Sequence, residues 1–138
     1  MKYKVVVTAG GTSEKIDNVR KITNSSSGKL GYTITNKLIQ LHEEQIEKIY
    51  YICSKTAFKP THPKIEIIEI TDTNDLEITV RTLLTSNDIH YFIHSMAVSD
   101  YTVDYVTTAE SLALNINNNP SESVIDLICC HTSNLTDS

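Results

Sequence analysis

All four glycines of this 138-residue chain fall within residues 8–31, together with an arginine, two asparagines and a run of three serines. The segment follows a β-branched stretch at residues 4–7 and precedes an amphipathic stretch that begins near Leu30. A buried strand that ends in Gly10-Gly11 can turn where a Cβ would clash, which leaves backbone N–H groups free to face a ligand. The spacing predicts a phosphate-binding turn, and the alternative interpretation is an ordinary surface loop rich in Gly and Ser.

The second half of the segment is expected to form the anion-binding end of a helix. Ser25, Ser26 and Ser27 occupy positions where an N-cap residue belongs, and Gly28 and Gly31 would let phosphates approach the first turn closely. A Walker A loop is excluded, because Thr and Leu stand where that loop needs Gly and Ser or Thr. The G-x-G-x-x-G spacing of dinucleotide-binding proteins is also absent.

Strand and helix patterns alternate along the first hundred residues. Apolar runs predict strands at residues 4–7, 48–52, 65–70 and 91–94. One helical stripe contains Leu30, Ile34, Leu38 and Leu41, and a second helix is predicted at residues 75–84, with Asn74 and Glu77 at capping-box spacing. This alternation predicts an α/β fold: a Rossmann-like, doubly wound, mostly parallel sheet with helices on both faces. With strand order 3-2-1-4, the loops after the first and fourth strands would be neighbours at the ligand-binding edge.

Two motifs resemble one known family. The pattern Gly-Gly-Thr-x-Glu-x-Ile-Asp-x-Val-Arg-x-Ile-Thr-Asn-x-Ser-Ser-Gly-Lys-x-Gly, from Gly10 to Gly31, resembles phosphopantothenate-cysteine ligase of coenzyme A biosynthesis. The block Met96-Ala-Val-Ser-Asp-Tyr101 is similar to that family's motif at the end of a strand. The resemblance implies the monofunctional bacterial type in a truncated form, with a sheet that is incomplete at its C-terminal side. It predicts a nucleotide- and phosphopantothenate-binding domain at residues 1–106 and an atypical tail at residues 107–138.

The resemblance implies a reaction. The carboxylate of 4'-phosphopantothenate would be activated by CTP, used with Mg²⁺, to give an acyl-cytidylate and pyrophosphate, and the amine of cysteine would then attack. A homodimer is implied as well, with no metal site of the protein's own. The non-catalytic alternative is a remnant of the ligase that binds a nucleotide, and a less favoured one is a Rossmann-like oxidoreductase.

The resemblance also assigns residues to roles. The nucleotide-binding positions are Gly10, Ser26, Gly28 and Gly31, the catalytic position is Asn24, and the substrate-binding positions are Arg20, Asn24, Met96, Ala97 and Asp100. Arg20 would reach the substrate phosphate in the neighbouring subunit, where a planar guanidinium suits bidentate binding. Without the resemblance, Arg20 is a surface cation paired with Glu14 or Asp17, Asn24 is an N-cap, and Asp100 caps the next element. Asp17 itself is interpreted as structural.

Charge and composition exclude other classes of function. Residues 1–100 hold all 12 basic residues and 12 acidic ones, whereas residues 101–138 add five acidic residues, so the net charge of −5 belongs to the tail. Nucleic acid is therefore not an expected partner. The absence of a long apolar run and of a signal peptide predicts a cytoplasmic protein with no membrane contact. The three cysteines are expected to be reduced thiols.

Overall fold

The computed structural model describes residues 2–100 and Glu110. Along the chain the elements are β1 (Tyr3–Ala9), β2 (Ser13–Lys15), β3 (Lys21–Thr23), α1 (Lys29–His42), a 3₁₀ turn (Glu43–Gln45), β4 (Ile46–Cys53), β5 (Ile65–Glu69), α2 (Thr73–Ser86) and β6 (Tyr91–His94). All four predicted strands and both predicted helices are present. Strands β2 and β3 form a separate two-stranded sheet that the sequence did not predict, because their short polar segments carry no apolar alternation.

The main sheet has the order β5-β4-β1-β6, and every neighbouring pair is parallel. When the four predicted strands are counted along the chain, this is the order 3-2-1-4, as predicted. Consecutive strands are joined through helices, with the exception of β4 and β5, so the sheet is doubly wound around β1. The carboxyl ends of β1 and β6 lie side by side, since Thr8 pairs with His94 in the parallel register.

Each face of the sheet has its own hydrophobic core. Val5, Val7 and Tyr51 belong to one core, against which Leu38 and Ile39 of α1 pack. The other core joins strand residues of the opposite face with residues of α2: Val6, Tyr50, Ile52, Leu76 and Leu83. Because β1 and β4 are buried on both faces, their sequences are continuous apolar runs. The Rossmann-like fold class is thereby confirmed.

Helix α1 differs from the prediction in its N-cap residue and in the face that it turns toward the sheet. Its N-cap is Gly28, not one of the serines, and Leu30 and Leu41 of the predicted buried stripe are 64% and 66% exposed. The buried positions of α1 are Gly31 and Thr35. A Cβ on Gly31 would lie 2.6 Å from the Ala9 Cβ, so the glycine face of the helix approaches the sheet most closely. The close approach turns Leu30 outward.

Helix α2 also has a different cap. Asp72 is the N-cap and forms a capping box with Asp75, so the predicted pairing of Asn74 with Glu77 is wrong. The two acidic side chains and the backbone N–H groups satisfy each other reciprocally. The helix therefore begins two residues earlier than predicted, at Thr73.

The described residues belong to two compact units. Residues 2–14 and 23–99 form one unit, and residues 15–22 belong to the other together with Asp100. The predicted boundary between residues 106 and 107 lies outside the described residues. No helix within the described part is long and apolar enough to cross a membrane. Cys53 is a buried free thiol whose pKa is raised by burial, whereas Cys129 and Cys130 lie outside the described residues.

Candidate functional site

The two sequence motifs meet at the carboxyl ends of β1 and β6. The Ala97 N–H donates to the Gly10 carbonyl at 2.9 Å, and the Thr12 N–H donates to the Ala97 carbonyl at 3.1 Å. Gly11 and Ala97 thereby form a parallel β-bridge beyond the ends of both strands. The predicted proximity of the two loops is confirmed, and it lies at the sheet edge where α/β folds bind ligands.

The glycines at this edge are required by the close packing of three backbone segments. Gly10 and Gly28 have left-handed φ values of 91° and 77°. A Cβ on Gly28 would lie 2.9 Å from the Ala57 Cβ, and a Cβ on Gly10 would collide with the Ser54 side chain. The end of β1, the start of α1 and the loop after β4 therefore converge at Gly10, Gly28 and Ala57. We call these three residues the glycine junction.

The glycine junction presents the open N-terminus of α1. Among the described residues, no side chain caps Gly28, and the first turn contains no acidic residue. The Lys29 N–H has only a long contact, at 3.4 Å, with the Ser27 hydroxyl. Ser26 is half-buried beside them. Uncapped N–H groups at the positive end of a helix dipole favour an anion, and phosphate groups are commonly bound in this way.

Asn24 lies in a polar network with Thr12 and Ser99, which we call the amide network. The Asn24 Nδ2 donates to the Ser99 hydroxyl at 3.2 Å and to the Thr12 carbonyl at 3.4 Å. The backbone N–H of Asn24 donates to the same Thr12 carbonyl at 3.1 Å. A Cβ on Gly11 would lie 2.7 Å from the Asn24 Cβ, so Gly11 is what allows the asparagine to approach the end of β1. Asn24 is not an N-cap, since α1 is capped at Gly28.

A second hydroxyl fixes the start of the Met96 motif. The Thr8 Oγ1 lies 2.6 Å from the His94 Nδ1 and accepts hydrogen bonds from the backbone N–H groups of Ser95 and Met96. The Met96 side chain is only 6% exposed and belongs to the core shared with α2. The structure therefore does not bring that side chain to the sheet edge, whereas Ala97 reaches it through its backbone.

Arg20 and Asp100 belong to the second unit and are both exposed. Arg20 pairs with Asp17, at 2.9 Å from Nε and 2.8 Å from Nη2 to the Asp17 Oδ2. The backbone N–H groups of Val19 and Arg20 donate to the other carboxylate oxygen, at 2.8 and 2.7 Å. These backbone bonds, followed by the bond from the Arg20 side chain, hold the pKa of Asp17 below its usual value. Asp17 is therefore the residue that holds the loop, as predicted.

Glu14 has a different task from the predicted pairing with Arg20. Its carboxylate is buried and accepts from the Thr73 N–H at 2.9 Å and from the Thr73 hydroxyl at 2.6 Å. Thr73 is the first residue of α2. The negative charge thus lies at the positive end of the α2 dipole and ties the Gly-Gly loop to that helix.

Thr8, Thr12 and Ser99 are residues that sequence reasoning missed. Their hydroxyls hold the two motifs together, and each lies at or just beyond a strand end that faces the ligand edge. The usable signal was their position within or next to the motifs, since Ser and Thr hydroxyls can bond to nearby backbone groups.

One cavity within the described part of the chain lies elsewhere. It measures about 390 Å³ and is lined by apolar side chains that include Tyr3, Ile46 and Tyr91, the first residues of β1, β4 and β6. It therefore opens at the amino ends of the strands. Ligands of open α/β sheets bind at the opposite edge, so this cavity is not assigned to the site.

Comparison with known proteins places these features in context. Residues 1–121 match the family model described as DNA/pantothenate metabolism flavoprotein C-terminal domain. The solved structure of the DNA/pantothenate metabolism flavoprotein from Streptococcus pneumoniae aligns with a TM-score of 0.72 and 46% identity, covering 82% of this chain and 49% of that one. The C-terminal domain of the coenzyme A biosynthesis bifunctional protein CoaBC aligns with a TM-score of 0.62 and 31% identity, over 76% of this chain and 50% of that one.

Curated relatives agree with the structural neighbours. The coenzyme A biosynthesis bifunctional protein CoaBC of Bacillus subtilis (strain 168) is 33% identical over 98 residues, which are 71% of this chain and 23% of that protein. Its counterpart in Vibrio vulnificus (strain YJ016) is 34% identical over 97 residues, 70% of this chain and 22% of that protein. The chain thus spans less than a quarter of the length of these curated relatives and about half of the solved chains.

Proposed function

The chain belongs to the family of the DNA/pantothenate metabolism flavoprotein C-terminal domain, and from this premise we propose that it acts as a phosphopantothenate-cysteine ligase in coenzyme A biosynthesis. The observation that carries the proposal is the packing of Asn24 against Gly11 and of the uncapped N-terminus of α1 against Gly10, at the ligand edge of the sheet. The helix N-terminus suits the triphosphate. The uncharged amide of Asn24 suits the acyl group, which must be held in place while it is activated.

The reaction has two steps. A carboxylate oxygen of 4'-phosphopantothenate attacks the α-phosphorus of CTP, which forms the acyl-cytidylate and releases pyrophosphate. The amine of cysteine then attacks the acyl carbon, loses a proton, and displaces CMP as the amide bond forms. Both steps develop negative charge on oxygens, so fixed donors are the main contribution that a protein can make.

The glycine junction supports binding of the triphosphate. Gly10 and Gly28 let the backbone approach a ligand closely, the first turn of α1, which includes Gly31, supplies N–H groups, and Ser26 adds a hydroxyl. Mg²⁺ enters with CTP as part of the substrate. Among the described residues no cluster of His, Cys, Asp or Glu could hold a metal ion. In this proposal the ion is carried mainly by phosphate oxygens and water.

The residues proposed to bind phosphopantothenate are Asn24, Arg20, Ala97 and Asp100. The buried side chain of Met96 anchors the loop that contains Ala97. Arg20 is proposed to bind the phosphate of phosphopantothenate in the partner subunit of a homodimer. Its guanidinium already pairs with Asp17, so the substrate phosphate would share or replace that carboxylate. A cytoplasmic location completes the proposal, because the substrates are small and soluble and Cys53 is a free thiol.

Incubation of the protein with CTP, Mg²⁺, phosphopantothenate and cysteine tests the proposal. Release of pyrophosphate together with formation of phosphopantothenoylcysteine, identified by mass, supports the ligase. Binding of CTP without release of pyrophosphate supports instead a non-catalytic nucleotide-binding protein. The Asn24→Ala variant is the control for contaminating activity. If Arg20 acts across a dimer, a mixture of inactive Arg20→Ala and Asn24→Ala variants should regain part of the activity.

A further inference from the structure

The hydrogen bonds of the amide network leave specific groups for a ligand. Thr12 is fully buried, and its hydroxyl contacts the backbone N–H of Ser99 at 2.9 Å and the Ser99 hydroxyl at 3.1 Å. Because the N–H of Ser99 donates to the Thr12 oxygen, the hydrogen of Thr12 has one acceptor within the described residues, the Ser99 oxygen. The Thr12 hydroxyl therefore donates to Ser99.

The orientation of the Asn24 amide follows from its neighbours. A carbonyl oxygen, that of Thr12, lies 3.4 Å from the Asn24 Nδ2 and can only accept, so the amide nitrogen and not the oxygen must face it. The same nitrogen donates its other hydrogen to the Ser99 hydroxyl at 3.2 Å. Both amide hydrogens are thus used inside the protein, and the Asn24 Oδ1, which has no partner among residues 2–100, is left as an acceptor.

Ser99 is left with the opposite capacity. A hydroxyl has two acceptor lone pairs and one hydrogen. The two lone pairs receive hydrogen bonds from Thr12 and Asn24, and the hydrogen of Ser99 has no acceptor among residues 2–100, so it is left for a ligand. The side chain is half-buried beside Asn24, in the loop that pairs with the end of β1.

We propose that Ser99 is a substrate-binding and positioning residue: its hydroxyl donates to the carboxylate of phosphopantothenate, and its oxygen holds the Asn24 amide in place. This inference rests on the proposed function, and it assigns the hydrogen-bond donor and the hydrogen-bond acceptor of the site to two different side chains. Ser99 supplies the donor to the acyl oxygen, and the Asn24 Oδ1 accepts from an N–H group of the substrates. Asn24 by itself cannot donate to the acyl group without giving up a bond inside the amide network.

Binding measurements on Ser99→Ala and Ser99→Thr test the inference. Calorimetric titration with phosphopantothenate should give a Kd raised about tenfold or more for Ser99→Ala, the usual loss for a hydrogen bond to a charged group. The Kd for CTP should change less than twofold, because the glycine junction is untouched. Ser99→Thr keeps the hydroxyl and should retain the affinity for phosphopantothenate within about threefold.

A matched control separates binding from folding. Ser13→Ala removes a serine hydroxyl whose one partner within the described residues is the Thr23 hydroxyl, in an exposed hydrogen bond, so it should leave both Kd values unchanged. Unfolding midpoints in urea, measured for every variant, identify any general loss of structure. An unchanged Kd for phosphopantothenate in Ser99→Ala, or an equal loss of affinity for CTP, would overturn the role of Ser99. A wild-type protein that binds neither ligand would overturn the proposed function itself.

Discussion

Replacing Gly31 by Ala tests the idea that α1 is docked onto the sheet through its glycine face. The new Cβ would lie 2.6 Å from the Ala9 Cβ and 2.7 Å from the Ser95 Oγ, with the Thr8 carbonyl oxygen at 3.3 Å. None of these neighbours can move easily. Ala9 belongs to the central strand β1, and the Ser95 hydroxyl is bonded to the Thr8 carbonyl at 2.5 Å.

Two opposing effects decide the size of the change. Alanine is favoured over glycine inside a helix by about 1 kcal/mol. Forcing an extra methyl group into a closely packed contact costs about 1–3 kcal/mol, and the two separations below 3 Å place this case in the upper part of that range. The contact term therefore wins, and Gly31→Ala should lower the free energy of unfolding by about 1–2 kcal/mol, or Tm by about 4–8 °C.

Urea unfolding followed by circular dichroism measures this change. Asn36→Ala is the matched control, because Asn36 lies on the exposed face of the same helix and gains helix propensity without any new contact. It should stabilise the protein by about 0.5 kcal/mol. A Gly31→Ala variant as stable as the wild type, alongside a stabilised Asn36→Ala, would refute the reasoning, because helix propensity would then outweigh the contact with β1.

Three other changes have expected outcomes. Glu14→Gln removes the charge that faces the start of α2 at Thr73, and should lower the free energy of unfolding by about 1 kcal/mol in the same urea assay; an unchanged midpoint would mean that the hydrogen bonds alone suffice. The pKa of Asp17 is lowered by its hydrogen bonds, so these bonds stabilise the loop fully at any pH above the usual carboxyl pKa of 3.8. They are lost as the pH falls through the lowered pKa. The amide resonance of Val19 should therefore shift with a midpoint below pH 3.8, and a midpoint at or above 3.8 would contradict the assignment. Asn24→Ala should reduce the rate of pyrophosphate release by about tenfold or more, because Ser99 loses the amide that positions it, and Asn24→Asp should reduce it further, because a carboxylate repels both the acyl-cytidylate and the Thr12 carbonyl oxygen that now accepts from the amide; equal losses would count against the role of the amide.

The amino-acid sequence determined the main sheet because parallel strands buried on both faces must be continuous apolar runs. The runs at residues 4–7 and 48–52 became the central strands β1 and β4, and the run at residues 91–94 became β6 without any change of bounds. Helix periodicity located α1 and α2, because each helix packs one face against the sheet. Strands β2 and β3 could not be predicted, since short polar strands depend on backbone pairing and on no pattern of side chains.

Local signals were least reliable where backbone segments approach each other closely. The serines before α1 have the composition of an N-cap, but the cap is Gly28, because only a residue without a Cβ fits against Ala57. Leu30 continues an apolar stripe but is exposed, since Gly31 brings its own face of the helix against β1. Both outcomes depend on interatomic distances between segments that are remote in the sequence.

The chemistry of the site divides in the same way. The residue types and spacing between Gly10 and Gly31 determined that the chain has a glycine-rich turn beside an asparagine, and they were enough to indicate the family. Only the tertiary structure decided which atoms face a ligand: it buries Met96, pairs Arg20 with Asp17, and uses both amide hydrogens of Asn24 through Thr12 and Ser99. A sequence fixes how many donors and acceptors a chain carries, but hydrogen bonds between remote segments determine which of them remain for a substrate.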